Sequence, residues 1–379
     1  MNGKPMTIPK NNIPAKRAAN VASTRRARRR HAAGVTLVEL MIALVLGLVV
    51  TGAAIALFST NRRTYQATEE LGRVQENVRA AYELMARDLR EGAGNACGND
   101  TTLVNVVNNP ATRWYTDWAG GIRGYGGGTA FPDAPFGTGR GQRIAGTDAI
   151  EIKSAVNDGV PIVQHVATSA QFKLNTVNHG FAPGDIAVAC DPAHAAILQV
   201  SGPNSPPGTN VEIVHNTGGA LVPGNCTKGL GGEGVPAACN PNGIQYTFGC
   251  FNGDKDTCAT AAEQWPAVLA RLRASRWYVG ANGRGGRSLF QSVLVNDAGT
   301  LGVVNQEIAE GVANLQVDYL LAGAADYVEA NPAWTATETA RVVAVRVLMQ
   351  VQGQNPVGTD GQPLSRTLEH IVTFRNRAP

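Results

Sequence analysis

Residues 35–58 form an almost wholly apolar run of 24 residues in which Glu39 is the one ionisable side chain. As a helix rising about 1.5 Å per residue, such a run reaches roughly 36 Å, enough to cross a hydrocarbon core of about 30 Å with some tilt. A soluble core helix this long and apolar on every side is uncommon. Nine lysine and arginine side chains precede Gly34 with no carboxylate among them. That excess of positive charge holds residues 1–34 in the cytoplasm and sends the remainder outward. The order also differs from an ordinary secretory signal, where the apolar stretch comes before the cleavage site and is discarded.

Glu39 is the exception within the run, because a carboxylate in an apolar phase costs a few kcal/mol unless something neutralises it. Cleavage after Gly34 creates a cationic amine on Val35, one helical turn away, and a neighbouring helix can offer the same amine. The segment Gly34-Val35-Thr36-Leu37-Val38-Glu39-Leu40 resembles the class III signal of type IV prepilins. The resemblance implies cleavage by prepilin peptidase between Gly34 and Val35 and N-methylation of the new terminus on Val35. It also implies packing of residues 35–58 into a pilus core, with Glu39 and Thr36 as assembly residues. Three further segments, Gly184 to Asp191, Ile308 to Tyr319 and Val343 to Val347, together with the ending Phe374 to Arg377, resemble blocks of PilW-type minor pilins.

Beyond the apolar run the helix is expected to continue to about residue 92. Leu71, Val74, Val78, Ala81, Met85 and Leu89 recur at three- and four-residue spacing with charged residues between them, no proline interrupts, and Gly92 and Gly94 supply a stop. Ala43, Gly47 and Thr51 give a small-residue face within the apolar half. The glycine-rich stretch around residues 120–128 lacks the lysine and strand-to-helix context of a phosphate-binding loop, so it reads as an irregular surface loop. Strand-like runs follow at 148–156, 161–166, 171–177, 185–190, 195–200, 211–214, 243–251, 268–279, 288–295, 315–320, 342–351 and 368–374, with a short helix at 306–312. The expected architecture is α+β and type IV pilin-like: a long amino-terminal helix packed on an antiparallel sheet carrying large insertions. The expected organisation is a basic leader (1–34), a membrane or pilus-core half-helix (35–58), an amphipathic half-helix (59–92) and a β-rich periplasmic body (93–379).

Taking the nine basic leader residues from 33 leaves 24 against 29 acidic ones, a mature net charge near minus five. The basic isoelectric point is therefore a property of the leader and does not argue for nucleic-acid binding. The local cluster Arg271, Arg273, Arg276, Arg284 and Arg287 reads as a solvated strand face rather than a DNA contact. Six cysteines, Cys97, Cys190, Cys226, Cys239, Cys250 and Cys258, lie on the exported side, where three disulfides suit an oxidising periplasm. Fifteen pairings are open. Cys250 with Cys258 and Cys226 with Cys239 would close short loops, and Cys97 with Cys190 then remains. The cysteines show no Cys-x-x-Cys pair and the histidines no ligand spacing, so no metal is expected. Asn252, Asp254 and Asp256 form a polar turn rather than a calcium loop. His165, His179, His194 and His215 sit in no catalytic motif, and neither enzyme activity nor a cofactor is expected.

The reading is a minor pilin that joins other minor pilins in a priming or tip complex, from which a fibre of major pilins grows. Its expected partners are prepilin peptidase, those pilins, the inner membrane and a tip adhesin, with nucleic acid disfavoured. Its expected location is a single inner-membrane pass with a periplasmic body, and then the pilus tip. The alternatives are a pseudopilin of type II secretion and a membrane-anchored periplasmic binding or adhesin domain that never polymerises.

Overall fold

The computed structural model describes residues 34–98, 101–155, 159–206, 208–231, 246–249, 266–331, 333–358 and 360–377. The basic leader therefore lies outside the described residues. The chain divides into two compact units, residues 1–60 and 61–379. A continuous helix, α1 (Leu37–Glu91), carries the chain from the first unit into the second. In the first unit every described residue is exposed. The 55-residue length of α1 agrees with the expectation from the uninterrupted apolar and amphipathic pattern.

After α1 come β1 (Thr102–Asn105), β2 (Ile122–Tyr125), β3 (Ala149–Ser154), β4 (Val160–Val166), β5 (Gln171–Leu174) and β6 (Ile186–Cys190). Next are β7 (His194–Gln199), β8 (Glu212–Val214), β9 (Ala267–Arg271), β10 (Arg273–Ala281), β11 (Arg287–Asp297) and β12 (Thr300–Glu310). The chain finishes with β13 (Val312–Leu321), β14 (Val328–Glu329), a short helix α2 (Ala336–Ala340), β15 (Val342–Gln352) and β16 (Ser365–Thr373). They build a four-stranded sheet (β14-β13-β15-β16), a five-stranded sheet (β12-β11-β10-β3-β2) and a seven-stranded sheet (β1-β7-β6-β9-β4-β5-β8). This is the expected α+β fold, antiparallel except where β1 lies parallel to β7.

In the second unit the amphipathic half of α1 does what its spacing predicts. Val78, Ala81, Met85 and Leu89 are buried in one core with Tyr82, Ala86, Ile152 of β3, Trp277 of β10, Leu289 of β11 and the inward residues of β13, β15 and β16. Fully burying a side chain the size of Met85 or Leu89 contributes about 1.5–3 kcal/mol. The helix stops through Ala93, whose φ of 61° is left-handed, rather than through Gly92. The Ala93 amide then donates to the Lys153 carbonyl (2.8 Å), which turns the chain straight onto β3. The seven-stranded sheet has its own core, with Phe172, Leu198, Phe248 and Leu269 among its buried members. The insertion thus adds a second sheet with a core of its own inside the same compact unit.

Four expectations are corrected. Residues 306–312 are not a helix: they complete β12 and begin β13, and Gly311 (φ 83°) makes the turn between them. Ten residues of β12 are paired to β11 in a hairpin, and that pairing overrides a local pattern ambiguous between the two periods. Residues 268–279 are two strands, β9 and β10, which break at Leu272 and enter different sheets. The glycine-rich stretch is no surface loop, since Ile122–Tyr125 is strand β2 and is mostly buried. Gly124 lies so close beneath Tyr319 that a β-carbon would collide with the phenol hydroxyl. Finally, Tyr246–Gly249 is irregular, with Phe248 buried, and the rest of the run expected at 243–251 lies outside the described residues.

Candidate functional site

The predicted processing segment sits where the helix begins. Residues 34–36 are non-helical and exposed, and Leu37 opens α1. The Thr36 hydroxyl accepts from the Glu39 amide (3.2 Å) and the Thr36 carbonyl accepts from the Leu40 amide (3.0 Å). Thr36 is therefore the N-cap, satisfying one of the amides that a helix start leaves without a partner. The Thr-x-x-Glu spacing is itself a helix-start signature, and it was readable in the sequence alongside the cleavage signal. The Gly34–Val35 bond thus lies just before the cap, in accessible non-helical chain.

Gly34 has no internal reason to be glycine. Its φ is not left-handed, and a β-carbon built on it meets no atom within 4 Å. The Glu39 carboxylate is exposed and makes no hydrogen bond or ion pair with any described residue. Among the described residues neither side-chain position is explained by an internal contact. Thr51 Oγ donates to the Gly47 carbonyl (2.7 Å), which consumes its polar group within the helix and leaves the small-residue face free of an unmet donor.

In the second unit two carboxylates lock α1 to the sheets, and sequence reasoning passed over both. Glu70 is buried and accepts from Arg73 (3.0 Å), from the Gln354 amide (3.3 Å) and from the Asn355 side chain, which ties down the loop after β15. A single Asp88 oxygen accepts from Ser275 Oγ (2.9 Å), Trp277 Nε1 (2.9 Å) and Gln291 Nε2 (2.7 Å). Between them, Tyr82 stacks on His370 of β16 with ring centroids 3.5 Å apart. The available signal was the placement of acids on or beside the apolar stripe, where a purely solvated residue would not be expected.

Of the five arginines, Arg273, Arg284 and Arg287 are exposed as expected and Arg271 is half-buried, but Arg276 is not on a solvated face. Arg276 is only 3 % exposed. Its Nε donates to Glu151 (3.0 Å), its Nη1 pairs with Asp133 (2.8 Å), and its guanidinium lies 4.3 Å from the Trp114 ring centroid and 4.4 Å from that of Phe131. Glu151 also pairs with the fully buried Lys153 and accepts from Tyr125 (3.1 Å). Burial pushes the Glu151 carboxyl up, but Lys153 and Arg276 together outweigh it and hold the group ionised, below its usual range. Burial lowers the Lys153 ammonium in turn. Arg271 pairs with Asp185 (3.0 Å), Arg273 with Glu91 (3.6 Å) and Arg284 with Glu310 (3.0 Å), while Arg287 donates to the Ala313 carbonyl (2.8 Å). A cluster so largely committed to internal partners offers little free charge to a phosphate backbone.

Cys97 and Cys190 form a disulfide across 93 residues, linking the chain just after α1 to β6 of the seven-stranded sheet. Cys226 is also disulfide-bonded. The pairings considered for Cys239, Cys250 and Cys258, and the polar turn at Asn252, Asp254 and Asp256, lie outside the described residues. Among the described residues no group of three or more His, Cys, Asp or Glu could hold a metal ion.

The histidines that looked scattered are partly brought together. His165 and His215 are buried with their Nε2 atoms 3.1 Å apart. The Phe248 amide donates to His165 Nδ1 (3.4 Å), which makes His165 Nε2 the donor and His215 Nε2 the acceptor. Burial depresses both imidazoles, that of His165 to about 4. His179 bonds to the Asn210 carbonyl (3.0 Å) and His194 lies 3.4 Å from Asp191, so neither joins the pair.

A capped apolar helix with a charge-poor, partner-free surface, continued by an amphipathic half that packs on a mainly antiparallel β body, defines a pilin-like α+β protein. Residues 29–55 match the prokaryotic N-terminal methylation motif, and residues 276–373 match type IV pilus-assembly protein W. The two matches together support a minor pilin of the PilW type. The second match spans β10 to β16 and leaves the seven-stranded sheet outside it. It contains the blocks at Ile308 to Tyr319 and Val343 to Val347, but not those at Gly184 to Asp191 or Phe374 to Arg377. No curated protein and no solved structure matches the chain. The family is structural rather than catalytic, and it implies prepilin processing and contact with other pilus components. The apolar helix and the prepilin signal point to membrane anchoring.

Proposed function

We propose that this chain is a minor pilin of a priming or tip complex for type IV pilus assembly. Prepilin peptidase cleaves after Gly34 and the new amine of Val35 is methylated. Residues 35–58 then occupy first the inner membrane and afterwards the fibre core, residues 59–92 carry the body, and residues 93–379 form the periplasmic domain. Glu39 pairs with the terminal amine of a neighbouring subunit and so sets the register between helices.

One observation carries this reading. Among the described residues no contact explains Gly34 or Glu39, and the Gly34–Val35 bond is held outside the helix by the Thr36 cap. An internally purposeless glycine at the cut and an unpaired carboxylate five residues on are what a peptidase and a neighbouring amine require. Amino-terminal mass spectrometry of the intact protein from host membranes and from sheared surface fibres tests it. A chain beginning at methylated Val35 and present in fibres is expected. Retention of residues 1–34, or absence from fibres and from every pilin complex, overturns it.

A further inference from the structure

Among the described residues both α-helices open on the same spacing, Thr-x-x-Glu, and only one of the two is closed. At α2, Thr335 Oγ accepts from the Glu338 amide (3.3 Å), and the Glu338 carboxylate answers by accepting from the Thr335 amide (2.7 Å) and hydroxyl (3.0 Å). That is a complete capping box, with Glu338 spent on its own helix. At α1, Thr36 Oγ accepts from the Glu39 amide in the same way (3.2 Å), but the Glu39 carboxylate makes no return bond to Thr36 or to any other described residue. Thr36 therefore caps α1 by itself, and Glu39 is left out of the cap.

A cap decides where a helix stops as well as how stable it is. The N-cap residue takes extended rather than helical backbone, so the chain before it is released from the helical ladder. Here the released chain begins with the Gly34–Val35 bond, and residues 34–36 are exposed and non-helical. Proteolytic nicking concentrates in such exposed, irregular chain. Composition alone would carry the helix back through the bond: residues 25–33 are five arginines, three alanines and one histidine, and alanine and arginine stand near the top of the helix formers. The Thr36 hydroxyl is the group that favours a start at Leu37 over an earlier one.

We infer that Thr36 and Glu39 divide the work of this segment: Thr36 is a positioning residue for processing, which presents the Gly34–Val35 bond to the peptidase by stopping the helix at residue 36, and Glu39 is reserved for assembly. The inference rests on the reading of this segment as a prepilin signal, and it narrows that reading, in which both residues serve assembly. Thr36 acts on the population of the cleavable conformation and not on the chemistry of cleavage. Losing a cap lowers that population about fivefold. A smaller competent fraction raises the apparent KM by the same factor and leaves kcat unchanged.

The test follows cleavage of the full-length precursor by prepilin peptidase in lipid vesicles, read by intact mass over time, for the wild type and for Thr36→Val, Thr36→Ser and Thr36→Asn. Valine copies the shape of threonine and cannot cap, whereas serine and asparagine change the shape and can. T36V is expected to raise KM about fivefold with kcat unchanged, and T36S and T36N to be processed like the wild type. In the native host, T36V chains that have been cleaved are expected in sheared fibres in the wild-type proportion, while Glu39→Ala chains are cleaved at the wild-type rate and incorporated at least tenfold less. Wild-type cleavage of T36V, a loss shared by T36S and T36N, a fall in kcat alone, slowed cleavage of Glu39→Ala, or failure of cleaved T36V to enter fibres overturns the inference and leaves the proposed function standing. A wild-type precursor that keeps residues 1–34 overturns both.

Discussion

Asp88 fastens α1 to β10 and β11 through three hydrogen bonds, and Asp88→Ala measures what they are worth. One carboxylate oxygen receives Ser275, Trp277 and Gln291 at 2.7–2.9 Å. The indole of Trp277 is 0 % exposed and, unlike Ser275 and Gln291, does not border the neighbouring cleft, so its N–H is the donor most costly to leave unmet when the acceptor disappears. Leaving such a donor unsatisfied costs about 1–3 kcal/mol. Ser275 and Gln291 border a cleft of about 270 Å³ that also touches Asp88, so water can replace the lost acceptor for them at about 0.5 kcal/mol each. The expected loss is about 3 kcal/mol, roughly a hundredfold in the ratio of folded to unfolded protein. Asp88→Asn keeps the shape, but a neutral amide oxygen has two lone pairs for three donors and no charge, so about 1–1.5 kcal/mol is expected. The assay is urea unfolding of the mature protein in detergent, followed by near-UV circular dichroism. With Trp277→Phe the pair completes a double-mutant cycle, with a coupling of about 1–2 kcal/mol. A loss below about 1 kcal/mol for Asp88→Ala, or no coupling to Trp277, refutes the anchoring role.

Glu39→Ala is expected to leave cleavage and membrane insertion intact while lowering fibre incorporation at least tenfold, read by quantitative immunoblotting of sheared fibres; unchanged incorporation removes Glu39 from the assembly mechanism. Replacing both Cys97 and Cys190 by serine opens a covalent loop across 93 residues, and urea unfolding should show a loss of about 4–5 kcal/mol by loop entropy. Glu151→Gln strands the buried Lys153 and leaves Arg276 with Asp133 alone, at a cost of about 3–5 kcal/mol, whereas Glu151→Leu with Lys153→Met should cost less because both ions leave together. For the His165–His215 pair, the unfolded histidine takes a proton near pH 6.5 but folded His165 only near about 4. Stability from this site is therefore complete above pH 6.5, declines as the pH falls, and levels off near 4, a loss of about 3 kcal/mol for His165. His165→Phe with His215→Phe should flatten that slope in a pH series of urea midpoints.

The methylation-motif match and the buried stripe of α1 both fall where the local pattern was strong. The apolar run, the Gly34 to Glu39 signal and the stripe through Val78, Ala81, Met85 and Leu89 each repeat one physical cue over many residues, and α1 follows them. The Cys97–Cys190 bridge agrees with the pair that remains when the other four cysteines are joined in short loops, one of fifteen pairings open to the sequence. The strand at 306–310, the division of 268–279 and the burial of residues 121–125 were not legible in the local pattern, because each depends on pairing that its own residues do not show: the hairpin with β11 for the first, two different sheets for the second, and Tyr319 over Gly124, far away in the chain, for the third. The same applies to Arg276, whose charge looked like surface until Glu151 and Asp133 were brought beside it from 125 and 143 residues away.

The order of its residues alone gives this protein a long helix, apolar in its first half and amphipathic in its second, behind a basic segment that ends in a prepilin signal, because hydropathy, charge asymmetry and helical period act over neighbouring positions. Which carboxylates anchor that helix, which cations are buried, that an insertion becomes a seven-stranded sheet with its own core, and that β12 is left with an open edge were decided only by the three-dimensional pairing of strands. Sheet hydrogen bonds and buried ion pairs join residues that are distant in the chain, and their energies belong to the pair rather than to either sequence position.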